Sequence, residues 1–399
     1  MTPGIYLSRL IGIPELEILH IHGSVRGWLF IEAKSSSIER HCPKCATLSR
    51  TIYDHRHVEI LDSPLRERKV RLRIKKKRYL CRLCKKPFTE LLHGIFSGAR
   101  ITERLRRTVL WSCRKFQNLV QVGKHVGCST STVRRSLYAH LEVDVKRHLN
   151  YPWPEKLGID EHGFGKSRSY YRGTEFNTVF TDIKKHRLYR VGFTKSSKKL
   201  FEQFKDIPGG ENVKDVAIDL CEGFRSLSHA LFPNARITAD KFHVVKLLLP
   251  SINKRRKQIA GDRRVNPIGR LLLRSRYKLD FTKRSMIERW LEPYPEIKKI
   301  YEFKERINEL YRIRGRKRAE VAFDRMMIQL KENSHIPELK TLHRTLSRWR
   351  NEILNYFDSG MTNAMTEGFN SKAKLLKKMG YGYRNQNNFG LRLLNACFH

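Results

Sequence analysis

Three acidic residues, far apart in the sequence, have the types and surroundings expected of a metal-dependent active site. Asp160 and Asp219 each end a short apolar run, Leu157-Gly158-Ile159 and Val216-Ala217-Ile218, and Glu367 comes much later. Buried strands of an open α/β sheet deliver such residues to its rim, where these sheets place their chemistry. Converging carboxylates suit two Mg²⁺ or Mn²⁺ ions, which activate the attacking oxygen and stabilise the leaving oxygen of a phosphodiester.

Each of these acids also has a structural interpretation. An Asp at a strand end is often a loop residue or a helix cap, and for a single Asp that interpretation is the stronger one. Neighbouring acids compete for the same roles: Glu161 and Asp182 for the first position, and Asp215 and Glu222 for the second.

The surroundings of Glu367 predict a helix. Asn363 could cap it, and Glu367, Asn370 and Lys374 are spaced so that they share one helical face. A single helix could therefore present a carboxylate and an amide to the same place.

The elements that must position these acids form a mixed sheet followed by helices. The β-branched and aromatic runs at 177–183 and 187–193 predict a hairpin, 196–207 a short helix, and 235–243 another strand. Residues 244–358 lack strand alternation and predict a block of helices, the last of them at 338–357. This block separates Asp219 from Glu367.

Four cysteines predict a zinc site before the sheet. Two C-x-x-C pairs let four thiolates surround one tetrahedral ion with no open position, which is structural zinc; a pair of disulfides is the alternative. The ligands are Cys42, Cys45, Cys81 and Cys84. Strands at 58–61 and 70–74 fill the gap between the pairs. A basic run in this module predicts phosphate contacts. It ends in Lys75, Lys76, Lys77 and Arg78.

Residues 119–127 and 132–141 predict two helices joined by a glycine-containing turn, the helix-turn-helix pattern. An ordinary helical hairpin is the competing interpretation. The second helix would direct four side chains to DNA: Thr132, Arg134, Arg135 and Tyr138. The Pro-rich stretch at 151–154 predicts a domain boundary.

The charge of the chain predicts a polyanionic partner. Its 399 residues contain 81 Lys and Arg against 39 Asp and Glu, a formal charge of +42, and this excess is not confined to a tail. No apolar run approaches the roughly 20 residues that cross a bilayer, and the first residues do not resemble a signal peptide. We therefore expect a cytoplasmic, nucleoid-associated protein.

Together, these motifs resemble the transposases of the ISL3 insertion-sequence family over nearly the whole chain. The most specific stretches are Asp240-Lys241-Phe242-His243-Val244-Val245-Lys246 and Glu367-Gly368-Phe369-Asn370-Ser371. The resemblance implies a ribonuclease-H-like core interrupted by an α-helical insertion, with Asp160, Asp219 and Glu367 as its catalytic, metal-binding residues.

Asp240 and His243 match a D-x-x-H signature of related transposase superfamilies, so Asp240 is an alternative second metal ligand. We favour Asp219, because it ends the strand expected beside that of Asp160. Asp240, His243 and Asn370 are then supporting residues, and Lys374 is expected to contact phosphate.

The resulting prediction is a multidomain α+β protein. Its predicted parts are a strand-rich segment (1–40), a zinc ribbon (41–95), a helix-turn-helix domain (100–150), two parts of the core (155–243 and 359–399) and the helical insertion (244–358). Such a protein would act as a DDE transposase on double-stranded DNA, both element ends and target, as a homodimer or larger oligomer. A zinc-containing DNA-binding regulator without catalysis and a nuclease with the same core are the alternatives.

Overall fold

The computed structural model describes residues 8–9, 11–23, 27–96, 98, 100–115, 118–149, 151–166, 174–260 and 267–397. The chain is a mixed α/β protein that forms two compact units. The first comprises residues Met1–Asp144 and Leu376–Arg384, and the second Val145–Leu375 and Asn385–His399.

A five-stranded sheet organises the first unit. Its strands are β1 (Leu16–Gly23), β2 (Trp28–Ser35), β5 (Ile52–Leu65), β6 (Arg68–Leu80) and β7 (Pro87–Thr89), in the order β1-β2-β6-β5 with β7 paired to β6. Two short strands, β3 (Arg40–His41) and β4 (Leu48–Ser49), form a separate pair. The predicted strands at 58–61 and 70–74 are confirmed as parts of β5 and β6. Alternation along β6 buries Val70, Leu72 and Ile74 on one face.

Three helices follow this sheet: α1 (Glu103–Lys115), α2 (Leu119–Val126) and α3 (Thr130–His148). Asn118 caps α2 by accepting hydrogen bonds from Val120 N and Gln121 N, and Gly127 ends it with a φ of 79°. The predicted pair of helices is confirmed, although α3 is longer than expected. Val133, Leu137 and Leu141 are buried along one face of α3, as their spacing predicts.

The second unit contains another five-stranded sheet, in the order β10-β9-β8-β11-β12. Strands β8 (Lys156–Lys166), β9 (Thr174–Asp182) and β10 (Arg187–Gly192) pair in antiparallel fashion. Strands β11 (Asp215–Ile218) and β12 (Arg236–Ala239) continue the sheet parallel to β8. The helices α4 (Ser197–Phe204) and α5 (Glu222–Leu231) provide the crossovers.

The helical block predicted after the sheet is confirmed. It comprises α6 (Lys241–Lys246), α7 (Leu249–Ala260), α8 (Ile268–Leu273), α9 (Phe281–Leu291), α10 (Pro295–Leu310), α11 (Arg316–Glu332), α12 (Pro337–Arg348) and α13 (Arg350–Ser359). The single helix expected at 338–357 is wrong: it is divided at Trp349, a buried residue that ends α12 and begins α13. Helices α14 (Ala364–Met379) and α15 (Gln386–Cys397) complete the chain.

One apolar core joins the second sheet to the helical block. It runs from Trp153 and Phe180 at the sheet to Phe323 and Leu354 in the helices. Helix α13 lies against β12, where Asn355 Nδ2 donates to Ile237 O at 2.8 Å. The block is therefore anchored to the strand that leads towards Asp240. None of the helices in the described ranges is long and apolar enough to cross a membrane.

Candidate active site

Three neighbouring strands of the second sheet run parallel, and at one edge an aspartate follows the last residue of each strand that takes part in the parallel pairing. Asp219 and Asp240 lie just after their strands, whereas Asp160 lies within β8, which continues to Lys166, and not at the strand end that the sequence predicts. Ile218 of β11 pairs with Ile159 of β8 on one side and with Ala239 of β12 on the other. The next residues are Asp160, Asp219 and Asp240. The sheet therefore brings together the two predicted aspartates, and the alternative ligand Asp240 lies on the neighbouring strand.

Asp160 is buried and lies beside the carboxylate of Asp219. Only 8% of the residue is exposed. Its Oδ1 accepts a hydrogen bond from Glu161 N at 2.7 Å, and its Oδ2 accepts one from Asn370 Nδ2 at 2.7 Å. Burial, followed by the nearby carboxylate of Asp219, raises the pKa of Asp160 to about 7. Two carboxylates this close favour either a shared proton or a bound cation.

The ring of His243 contacts both Asp219 and Asp240. Its Nδ1 lies 2.9 Å from Asp219 Oδ1 and 3.0 Å from Asp240 Oδ2. Hydrogen bonds to Asp219 and then Asp240 raise the pKa of His243 to about 10, so the ring carries a positive charge. The ligand atoms of Asp219, Asp240 and His243 all lie within 4.8 Å of one another.

Asp240 has both carboxylate oxygens engaged. Its Oδ1 accepts from Asn363 N at 2.8 Å. Its Oδ2 faces the His243 ring, and the carboxylate also caps α6 by accepting from His243 N. The residue is 2% exposed. Asp240 therefore ties β12, α6 and the start of α14 together, whereas Asp219 is the more accessible of the two.

Two asparagines contact this edge: Asn363, which directly precedes α14, and Asn370, which lies within it. Asn363 Nδ2 donates to Ile159 O at 2.8 Å and lies 3.5 Å from Asp219 Oδ1. The expectation that the Asn363 side chain caps the helix is wrong, because its amide bonds to β8 instead and only its backbone oxygen accepts, from Glu367 N at 3.0 Å. Asn370, two turns further on, bonds to Asp160. These contacts fix α14 against the aspartates.

Glu367 lies between these asparagines on α14 but outside the compact cluster. Its side chain is 56% exposed, and its Oε1 lies 3.8 Å from Lys246 Nζ. Within the described ranges, the ligand atoms of Asp160, Asp219 and Glu367 do not all approach one another within 4.8 Å. The predicted trio is thus a pair of neighbouring aspartates with a glutamate on the helix that contacts both.

The acidic edge fits a divalent cation by its donor chemistry. Asp160 and Asp219 supply hard oxygen ligands, which Mg²⁺ and similar ions accept. Burial, and then repulsion from the Asp219 carboxylate, raises the pKa of Asp160, and a bound cation would relieve that repulsion. These are two of the three residues that the sequence predicts as metal ligands, the third being Glu367.

Gly158 on β8 lets α14 approach the strand closely, a role that a strand glycine often signals. A Cβ at this position would lie 2.3 Å from Thr366 Oγ1 and 2.6 Å from Asn363 Oδ1. We therefore expect Gly158→Ala to displace α14 from the aspartates and to lower the free energy of unfolding by about 1–3 kcal/mol. Urea unfolding of the full chain measures this loss.

A matched control for that substitution lies on the same strand. A Cβ at Gly165 would meet no atom within 4 Å, so Gly165→Ala should leave the free energy of unfolding within about 0.5 kcal/mol of the original. Equal stability of the two variants would contradict the close approach of α14 to β8.

The four paired cysteines of the first unit form one cluster. The Sγ atoms of Cys42, Cys45, Cys81 and Cys84 all lie within 4.8 Å of one another, and those of Cys45 and Cys81 are 3.5 Å apart. Zn–S bonds of about 2.3 Å in a tetrahedron place sulfurs about 3.8 Å apart, so the cluster fits zinc. All four are free thiols, and the disulfide alternative is not observed.

The predicted DNA-contacting residues differ in accessibility. On β6, Lys75 is exposed, but Lys77 Nζ donates to Ser37 O at 2.6 Å and Arg78 Nη1 to Asp54 Oδ2 at 2.8 Å. Lys76 is only 8% exposed, and burial lowers its pKa.

The prediction that Lys76 contacts DNA is wrong, because strand alternation places it on the buried face with Ile74. On α3, Arg134 and Arg135 are exposed as predicted, whereas Thr132 and Tyr138 are half-buried. Lys374 on α14 is exposed.

Sequence reasoning missed three structural roles at the site. Gly158 and Thr366 form the close contact between β8 and α14, and Lys246 lies beside Glu367. A glycine inside an otherwise apolar strand was an available signal for the first. The contact of Lys246 had no local signal, since its partner Glu367 lies beyond the whole helical block in the sequence.

Two protein-family models match the chain. DDE_Tnp_ISL3, described as a transposase, matches residues 157–393. A second family, described as the zinc-finger of transposase IS204/IS1001/IS1096/IS1165, matches residues 39–84. The first match contains the acidic edge and α14, and the second contains the four-cysteine cluster.

The chain is also similar, at low identity, to curated transposases. The chain is 25% identical over 366 residues to the transposase for insertion sequence element IS1001 of Bordetella parapertussis, covering 89% of this chain and 88% of that protein. It is 24% identical over 295 residues to the transposase for insertion sequence element IS1557 of Mycobacterium tuberculosis (strain CDC 1551 / Oshkosh), covering 66% and 64%.

Proposed function

The chain belongs to the ISL3 family of DDE transposases, which makes it a DNA-cutting and strand-transfer enzyme, and from this premise we propose how it acts. It binds the terminal inverted repeats of an insertion sequence and catalyses cleavage and joining by two-metal phosphoryl transfer. Water attacks first and frees a 3′-OH, and that hydroxyl then attacks the target strand. The observation that carries this proposal is the pairing of Asp160 and Asp219 at the sheet edge.

The catalytic residues of this proposal are Asp160, Asp219 and Glu367. Support for the glutamate comes from its neighbours on α14: Asn363 lies one turn before it and Asn370 one turn after, and these contact the two aspartates. A strand order of β10-β9-β8-β11-β12, with three antiparallel strands followed by two parallel ones, supports a ribonuclease-H-like core.

Divalent ions at this edge, Mg²⁺ or Mn²⁺, would supply Lewis-acid activation of the attacking oxygen and charge neutralisation at the leaving oxygen. The chain's own residues hold and orient the ligands. Asn370 fixes one oxygen of Asp160, and Asn363 links β8 to Asp219. Asp240 and His243 are positioning residues, because Asp240 anchors the start of α14 and His243 holds one oxygen of Asp219.

DNA recognition belongs to the first unit in this proposal. The zinc-binding module presents Lys75, and the helices α2 and α3 form a helix-turn-helix that exposes Arg134 and Arg135. Phosphate contacts supply affinity, and a helix in the major groove supplies sequence preference. The positive charges of Lys75, Arg134 and Arg135 agree with the formal charge of +42 of the whole chain. Assembly of two or more copies on DNA would bring two element ends together.

The test uses the purified full chain and a duplex that carries the DNA flanking its reading frame. With Mg²⁺ or Mn²⁺ we expect a nick at the end of the repeat and, with a target plasmid added, joined products; chelation should stop both. Tight binding without cleavage would indicate a DNA-binding regulator. Cleavage without joined products would indicate a nuclease, and either outcome would refute the proposed transposition chemistry.

A further inference from the structure

The end of α14 carries a tyrosine in a conformation that favours glycine. Residues Leu376–Arg384 belong to the first compact unit, the one that contains the zinc site. After Met379, the N–H of Gly382 donates to Lys377 O at 2.9 Å and that of Tyr381 to Lys378 O at 3.1 Å. This pair of hydrogen bonds is a Schellman motif, and Tyr381 occupies its left-handed position with a φ of 54°.

A glycine at this position would remove the conformational cost, and glycines already stand on both sides of Tyr381. Five other non-glycine residues have positive φ in the described part of the chain, and all lie in turns of hairpins or cysteine pairs. These are Ala46, Arg66, Glu67, Lys85 and His186. Tyr381 is instead at a helix end, where an observed outlier justifies a search for function.

The ring of Tyr381 is accessible and lies in a cationic segment. It is 83% exposed, and Met379 beside it is 46% exposed. Lys378 and Arg384 are also exposed, and no acidic residue follows Glu367 in the sequence. In a symmetric contact with a second copy these cations would face one another, which opposes self-association. A polyanion would be attracted.

We propose that Tyr381 stacks on an unpaired DNA base while Lys378 and Arg384 contact the adjoining phosphates. The inference rests on the proposed function, in which this unit binds DNA. An aromatic ring stacks on any base, since every base has a π-face, and a positive groove that follows the backbone completes this mode of binding. The Schellman hydrogen bonds fix the backbone at Tyr381, so little backbone ordering is needed on binding.

The test compares two fluorescein-labelled duplexes, one fully paired and one with a single unpaired 2-aminopurine, bound by the full chain. We expect the protein to prefer the second duplex and to quench the 2-aminopurine. Tyr381→Gly should lose roughly tenfold in affinity for it and abolish the quenching, while its melting temperature rises because the strain is removed. Tyr381→Trp should retain both preference and quenching.

The control is Tyr53→Ala, which removes another exposed tyrosine of the same unit and should leave the preference unchanged. Equal affinity of the original protein for the two duplexes would overturn the proposal, and so would a Tyr381→Gly variant that retains the preference. A variant that changes only the oligomeric state would place Tyr381 in a protein interface instead. Binding of the fully paired duplex tests the proposed function separately.

Discussion

Replacing Asp219 by Asn should reduce strand cleavage by at least about a thousandfold, on the order of 4 kcal/mol in the barrier, while DNA binding stays within about twofold. Asn is nearly isosteric but lacks the negative charge that a divalent cation needs at this edge. The measurement is single-turnover cleavage of the flanking-DNA duplex, with affinity measured by anisotropy under the same salt.

Folding controls make this result interpretable. The Asp219→Asn substitution relieves the repulsion with the buried carboxylate of Asp160 but also removes the ion pair with His243. The two effects oppose each other, so the variant without metal should melt close to the original temperature. Mg²⁺ or Mn²⁺ should raise the melting temperature of the original protein, because an ion that binds the folded state stabilises it. The variant should not bind the ion, so its melting temperature should not change.

Glu222 provides the matched control. It lies three residues after Asp219, at the start of α5, and its side chain is 51% exposed beside Arg225. The Glu222→Gln substitution also removes one negative charge but should leave cleavage and the metal-induced shift intact. Comparable loss in both variants, or full activity of Asp219→Asn, would contradict the assignment of Asp219.

The features that sequence predicted best depend on short-range patterns. Two C-x-x-C pairs define their cluster almost without reference to the rest of the fold. The apolar runs before Asp160 and Asp219 identify strands, because a parallel strand that is buried on both faces consists almost entirely of apolar residues. The edge that collects both aspartates then follows from the parallel pairing of β8 with β11.

Tertiary contacts explain what the sequence did not predict. Asn363 occupies the expected capping position, yet its amide bonds to Ile159 O, 204 residues away in sequence, and no local pattern encodes that partner. Lys76 belongs to a basic run, but its neighbours Leu72 and Ile74 are buried on the same face. Alternation along β6 predicts this burial, whereas the basic run around Lys76 predicts exposure, and the alternation decides.

The orientation of the Glu367 side chain depends on the charges that surround it. Helical spacing correctly places it on the same helix as Asn370, but the side chain contacts Lys246 at 3.8 Å instead of joining the aspartates. A glutamate that is half exposed has several rotamers of similar energy. Its direction is therefore set by the charges around it, which a bound cation or DNA phosphate would change.

Replacing Cys81 by Ser should remove zinc and unfold the zinc-binding module of the first unit. Cys81 is fully buried, its Sγ accepts from Cys84 N at 3.3 Å, and the cluster has four thiols within 4.8 Å. Structural zinc contributes on the order of 10 kcal/mol to folding, as much as the whole stability of many domains. We expect one zinc per chain in the original protein, none in the variant, and at least about tenfold weaker DNA binding.

Cys221→Ser is the control for this substitution, because Cys221 is a free thiol outside the cluster at the N-cap of α5. Serine is a good capping residue, so zinc content, DNA affinity and melting temperature should be unchanged or slightly improved. In Cys81→Ser, the metal-induced thermal shift of the second unit should survive, since the aspartates belong to a separate compact unit. A Cys81→Ser protein that keeps its zinc would contradict the assignment of the four cysteines as zinc ligands. A variant that loses its zinc but binds DNA as tightly as the original would contradict a role of the zinc-binding module in DNA recognition.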